Sequence, residues 1–279
     1  MKTLFDTLSK DCARRTTNLY STSFSIASKL LAPSIRQDVY NIYGFVRLAD
    51  EIVDSFHDYD KEALLNKFEE DLTYSIEHKI STNPILNAFQ QTVHQYNIEP
   101  ELYMAFMNSM RKDLYKNTYE SFEEYESYIY GSADVVGLMC LKVFVKGDQQ
   151  KYNALKDSAK RLGSAFQKVN FLRDLKQDCE DLQRTYFPGF DFNNLSEEHK
   201  QQIIAEIQAD FASAYSGIKQ LPVEARLGVY TAYIYYKRLL KKLKKTPFQE
   251  IRQQRIRVPN YEKISLLARS YVSYKLNLL

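Results

Sequence analysis

Asp50 and Asp54 stand four residues apart in Arg47-Leu48-Ala49-Asp50-Glu51-Ile52-Val53-Asp54, and Asp174 and Asp178 repeat that spacing in Arg173-Asp174-Leu175-Lys176-Gln177-Asp178. At about 100° per helical residue, Tyr43, Arg47, Asp50 and Asp54 share an arc of about 60°. Gln167, Asn170, Asp174 and Asp178 likewise fall within about 80°. Carboxylates turned inward among apolar neighbours are costly unless their charge is compensated. A divalent cation compensates it, and Mg²⁺ takes one or two carboxylates together with phosphate oxygens and water. Arg47 and Arg173, beside the two pairs, suit further phosphate oxygens. A single acidic i,i+4 pair reads as a solvated helix face. Two pairs, each on a long apolar helix with an arginine and with amide or tyrosine companions, read as facing walls of a diphosphate site. Metal and arginine there would stabilise the charge growing on a departing pyrophosphate.

Such walls need long helices to carry them, and apolar residues recur at helical spacing almost throughout, without convincing strand alternation. Residues Pro33 to Ser55 predict one long helix, Lys61 to Lys79 a second, and Asn83-Pro84 opens a third. Glu99-Pro100 starts a segment to about Lys116, and Ser121 to Val145 is helical with bends expected at Gly131 and Gly137. Gln149 to Asp178 is the helix of the second acidic pair, and Arg184 to Asn194, with Pro188-Gly189, is a loop. Ser196-Glu197-Glu198 begins another helix, and two or three more follow, punctuated by Pro222, Pro247 and Pro259. The expectation is an all-α bundle of roughly ten helices in a single domain over residues 1–279.

Bulk properties narrow the function. The charge balance, 38 basic against 35 acidic residues, excludes a nucleic-acid partner. Cys12, Cys140 and Cys179 lack paired metal spacing and read as reduced thiols of a cytoplasmic protein. The start Met1-Lys2-Thr3-Leu4-Phe5-Asp6 has no signal-like apolar run, and no window reaches the roughly 20 apolar residues of a membrane span. His57, His78, His94 and His199 show no ligand spacing and read as surface residues. The basic run Lys237 to Lys245 reads first as a solvated face; its functional reading is a peripheral contact with anionic lipid at the inner face of the membrane. No pattern points to an oligomeric state. With 22 Tyr and 16 Phe, aromatic side chains are abundant enough to line a pocket that holds a cation as well as to fill a core.

Five segments together resemble the squalene/phytoene synthase family of head-to-head prenyl transferases, closest to its bacterial phytoene synthases. They are Ser21-Thr22-Ser23-Phe24; Tyr43 to Arg47 with Asp50 to Asp54; Met110-Arg111-Lys112-Asp113-Leu114; Tyr128 to Gly137; and Gln167 to Asp178 followed by Arg184-Thr185-Tyr186-Phe187-Pro188. There are departures. Asp178 and Tyr186 are eight apart rather than seven, Lys176-Gln177 replaces Gly-Glu, Glu51 stands where many relatives have Asp, and Asp134 replaces a small residue.

The resemblance implies an isoprenoid-synthase-type helical bundle with a central cavity. It implies Mg²⁺, with Mn²⁺ as an alternative, held by Asp50, Asp54, Asn170, Asp174 and Asp178. Ser21, Ser23, Phe24, Arg47, Gln167, Asn170 and Arg173 would bind substrate, and Tyr43, Tyr130 and Tyr186 would stand near the reacting cation. The implied reaction ionises one allylic diphosphate, joins it to a second through a cyclopropylcarbinyl diphosphate, and releases two pyrophosphates. With geranylgeranyl diphosphate the product is phytoene, of carotenoid biosynthesis; with farnesyl diphosphate it is squalene or dehydrosqualene. No Gly-rich dinucleotide fingerprint is present, so NADPH is not expected. Head-to-tail prenyl transferases and terpene cyclases would show Asp-Asp-x-x-Asp or an Asn/Ser/Glu triad, and a non-catalytic scaffold relative would have lost one of the four aspartates. Ser28, one turn or about 5 Å beyond Phe24, together with Gly131, Ser132, Ala133 and Gly137, leaves room for a long prenyl tail or else permits close helix packing.

Overall fold

The computed structural model describes residues 1–180, 184–188 and 196–276, with only the backbone of Asn260. Thirteen α-helices occur among them: α1 (Lys2–Tyr20), α2 (Thr22–Ser28), α3 (Pro33–Ser55), α4 (Lys61–His78), α5 (Pro84–Tyr96), α6 (Pro100–Lys112), α7 (Phe122–Ile129), α8 (Val135–Phe144), α9 (Gln149–Glu180), α10 (Glu197–Gln220), α11 (Val223–Lys245), α12 (Phe248–Ile251) and α13 (Asn260–Lys275). No strand occurs among the described residues; Thr118 and Thr185 form an isolated bridge. The all-α expectation holds, with more and shorter helices than the periodicity suggested.

Local chemistry sets many boundaries. Pro33, Pro84 and Pro100 occupy first-turn positions, where a missing N–H costs nothing. The side chains of Ser21, Asp60, Asn83, Ser121 and Ser196 accept from first-turn N–H groups, satisfying donors the helices cannot. Lys79 and Asn97 end α4 and α5 in the left-handed conformation at φ 57° and 49°.

The bend expected near Gly131 is a π-helical turn, Tyr130–Asp134, closed by the Val135 N–H donating to the Tyr130 carbonyl. Gly131 lets this turn meet α6, because a Cβ there would collide with the Ser109 hydroxyl and lie 2.7 Å from the Ala105 carbonyl.

Two apolar clusters flank the centre of the bundle. One, built largely from α3, α5, α6 and α8, contains Phe45 stacked at 4.1 Å on Phe89. The other joins α7, α9, α10 and α11 around Phe171 and Phe211. Between α2, α3, α8, α9, α10 and α11 runs a cavity of about 290 Å³.

Candidate active site

The cavity wall is overwhelmingly apolar, and its polar groups gather where α2, α3 and α9 approach one another. Ser23, Phe24, Tyr43, Gln167 and Asn170 all line it. Phe24 stacks on Tyr43 at 4.7 Å, and Phe166 stacks on Tyr236 at 4.0 Å. The Tyr236 hydroxyl donates to Asn170 Oδ1 at 3.2 Å, and Gln167 Nε2 reaches Ser132 Oγ at 3.4 Å. Burial pushes the Tyr43 phenol up to about 12, so at neutral pH it is an uncharged donor. These ring faces attract positive charge while the wall excludes water, a combination suited to a carbocation. Ser21 plays a double part: its hydroxyl caps α2 through the Phe24 N–H and also contacts the Tyr43 phenol.

One turn and more along α3 and α9 from these rings come the acidic pairs. Arg47 pairs with Asp50 and Glu51 and lies 4.4 Å over the Tyr20 ring. Arg173 pairs with Asp174, whose Oδ1 also lies 2.7 Å from Arg255 Nε. Burial, then the charge of Asp54, pushes the Asp50 carboxyl up to about 7. Burial and the charges of Asp174 and Asp54 push Asp178 up to about 8. Asp54 thus lies close enough to act on a carboxyl of each motif.

Arg184 locks the two faces together. Its side chain is buried, with Nη1 at 2.7 Å from Asp54 Oδ1 and Nη2 donating to the Asp113 carbonyl at 2.8 Å, while its backbone N–H donates to the Asp178 carbonyl at 2.7 Å. Pairing of Thr185 with residues 117–119 holds this segment in place. Asp113, just past α6, accepts from the Tyr128 hydroxyl at 2.9 Å on Oδ2, and its Oδ1 has no partner among the described residues. Burial, opposed by Arg184 and reinforced by Asp54, pushes the Asp113 carboxyl up to about 7.

The donor set consists of oxygen only, from Asp50, Asp54, Asn170, Asp174 and Asp178, and the carboxyls of Glu51 and Asp113 lie beside it, on Arg47 and near Arg184. That fits a hard divalent cation. Among the described residues no three acidic, His or Cys groups form a ready cage. Mg²⁺ characteristically needs none, since it retains water and shares phosphate oxygens.

Two of the expected tyrosines lie off the cavity wall. Tyr130 is exposed, 5.6 Å below the Lys160 ammonium, and does not line the cavity; the π turn carries it outward. Tyr128, two residues earlier, is the buried member and meets Asp113. Tyr186 is buried but outside the cavity wall, stacked on Phe171 at 4.0 Å and Tyr128 at 5.3 Å. Gly131 gives no room to a prenyl tail, being occupied with α6, whereas Ser28, Ser132, Ala133 and Gly137 do line the cavity. Arg184, Asp113 and Tyr128 lie within the motifs quoted above but were not singled out there, and Tyr236 and Arg255 had no local signal. The four histidines carry no cluster; His57 contacts Lys61, and His199 completes the Ser196 capping box. The loop expected over 184–194 falls partly outside the described residues.

Three comparisons bear on this geometry. The chain is 27% identical to the phytoene synthase of Arthrospira platensis, covering 93% of this chain and 91% of that protein. It is 26% identical to the phytoene synthase of Pseudescherichia vulneris, covering 84% and 82%. In fold it matches a ligand-bound dehydrosqualene synthase with a TM-score of 0.82 at 20% identity, over 97% of this chain and 98% of that one. The squalene synthase HpnC of Alicyclobacillus acidocaldarius gives 0.74 at 22% identity, over 86% and 95%. A family model described as squalene/phytoene synthase matches residues 17–262, and the chain belongs to that family of prenyl transferases.

Proposed function

We propose that the protein joins two geranylgeranyl diphosphates head to head into phytoene, through a cyclopropylcarbinyl diphosphate and with release of two pyrophosphates. In this reading Asp50, Asp54, Asp174 and Asp178, with Asn170, hold Mg²⁺, which when bound supplies positive charge to the leaving diphosphate. Arg47 and Arg173 present paired N–H groups to phosphate oxygens, and Ser21 and Ser23 add hydroxyl donors. Tyr43, Phe24, Phe166 and Tyr236 turn ring faces toward the allylic cation and keep water away from it.

The observation that carries the choice of a C20 over a C15 substrate is Ser28. It is buried in the cavity wall one turn past Phe24, and Ser132, Ala133 and Gly137 are further small residues on that wall. The phytoene synthases among the relatives support the same reading.

The test is incubation of purified protein with farnesyl or geranylgeranyl diphosphate, with and without Mg²⁺ and NADPH, followed by product mass analysis. A C40 hydrocarbon made only with Mg²⁺ and irrespective of NADPH is expected. C30 product alone would move the assignment to a squalene-type reaction. Ser28→Phe is expected to plug the tunnel, lowering C40 product at least about tenfold while sparing C30 formation. C40 product at the parent rate in that variant would mean the tail runs elsewhere.

A further inference from the structure

Helix α13 carries apolar side chains on its outer side as well as Leu266, Leu267 and Tyr274 on its inner one. It packs on α11, and Arg238 of α11 ties Glu262 to the inner side at 2.7 Å. At about 100° per residue, its exposed positions span an arc of about 160°. Tyr261 (72% exposed), Ile264 (66%), Ala268, Tyr271, Val272 (53%) and Leu276 (62%) lie on it. The remaining exposed positions of that arc are Ser265, Arg269 and Lys275, so it carries no acidic residue. Contiguous exposed apolar surface of this kind marks a contact with a partner. Helix α1 also exposes Leu4, Leu8 and Leu19, but Asp11 and Arg15 interrupt that face.

Two observations select the partner. Charge is the first: Arg269 borders the stripe and Lys275 lies within it in the last turn, and Lys237, Lys241, Lys244 and Lys245 are exposed on the supporting helix α11. Position is the second. A narrow groove under α13, lined by Ile26, Lys263 and Leu266, shares Ser23, Ala27, Ala232 and Tyr235 with the wall of the main cavity. We infer that the outer face of α13 docks on an anionic lipid bilayer. The helix lies flat in the interface, with its tyrosines at headgroup level and its cations among lipid phosphates. The expected lipid contact thereby moves from the lysine run of α11, whose Leu239, Leu240 and Leu243 are buried, to α13. The surface stands without the proposed reaction, although the placing of the groove between lipid and cavity gains its meaning from a lipid substrate, and so rests on that reading.

Co-sedimentation with vesicles of phosphatidylcholine containing about one third phosphatidylglycerol tests the surface. The parent is expected in the pellet, and binding to pure phosphatidylcholine should be about tenfold weaker or more. Ile264→Asp with Val272→Asp should lower binding at least about tenfold while the circular dichroism spectrum is retained, because both side chains point away from the protein. Arg269→Glu with Lys275→Glu should abolish the preference for anionic vesicles. A parent that stays in the supernatant, or an Asp double variant that binds like the parent, would overturn the inference. So would a parent dimer in analytical ultracentrifugation that the Asp substitutions dissociate, since the face would then belong to a second copy. Turnover of detergent-dispersed substrate is measured on the same samples and should be unchanged by the substitutions. Lost binding with retained turnover locates failure in the surface; retained binding with no turnover locates it in the proposed reaction.

Discussion

Two faces of helix α9 carry buried charge, and they handle it in opposite ways. On one, Asp174 and Asp178 meet arginines and the opposing Asp50 and Asp54, next to the cavity. On the other, Lys168 is buried against Asp210 at 2.8 Å and also pairs with Glu206, while Ser164 and Arg161 reach Asp210 at 3.1 Å each. The first face holds like charges together, and burial, reinforced by those charges, pushes the carboxyls of Asp50 and Asp178 up. The second alternates signs until Asp210 is satisfied. Like charges gathered beside a cavity are a place for ligands to bind, whereas alternating charges fix one helix on another. The two α9 faces therefore respond differently to substitution.

The largest expected effect is on the cavity side. Asp50→Asn or Asp174→Asn should leave the circular dichroism spectrum unchanged and lower turnover at least about a hundredfold, by removing a charged metal ligand. Turnover within threefold of the parent, in either folded variant, would falsify the two-motif site. On the α10 side, Lys168→Met should leave turnover of the folded protein intact but cost about 2 kcal/mol of stability. That lies below the usual range for a broken buried pair because Arg161 and Ser164 still contact Asp210. Denaturant melts check this, and an unshifted midpoint would erase the contrast between the two faces.

Smaller effects sharpen it. Arg47→Lys and Arg173→Lys keep the charge but lose the planar fork, and each should raise KM about fivefold in steady-state assays with kcat less affected. Unchanged KM in both would put these arginines outside the substrate site. An effect on stability alone is expected at Asp134, which lies near Lys160, Lys168 and Asp210 with a buried Oδ1 unpartnered among the described residues. Burial, opposed by Lys160 and Lys168, pushes its carboxyl up from 3.8 to about 7. An acid so raised contributes its full stability below the unfolded value and loses it as pH rises through about 7. Asp134→Asn should therefore gain over the parent from near pH 4 upward and plateau above pH 7. The gain is limited to about 1–2 kcal/mol by the new buried amide. Melting curves across that pH range that run parallel for the two proteins would contradict this account of Asp134.

Much of this arrangement is decided locally. The bounds Pro33–Ser55 of α3 follow from a proline at the first turn and an apolar repeat, and the i,i+4 spacing of Asp50/Asp54 and Asp174/Asp178 fixes which groups share a helix face. Neither needs a partner element, so both are legible in the chain. Tyr130, whose role is implied by resemblance and not by spacing, opens a π turn that spacing does not foresee. A π turn adds a residue to the helical repeat, so every side-chain direction counted across it shifts, and the turn persists because Gly131 nestles against α6 rather than through any local preference. Arg184 meets Asp54 across 130 positions and Arg255 meets Asp174 across 81, distances over which no spacing rule operates. The residue types and local faces of the site thus reside in the sequence. Which acidic face opposes which, which arginines neutralise them, and which tyrosine turns inward depend on how α3, α6, α9 and the segments after α9 and α12 pack. Packing alone brings together charges that the chain keeps far apart.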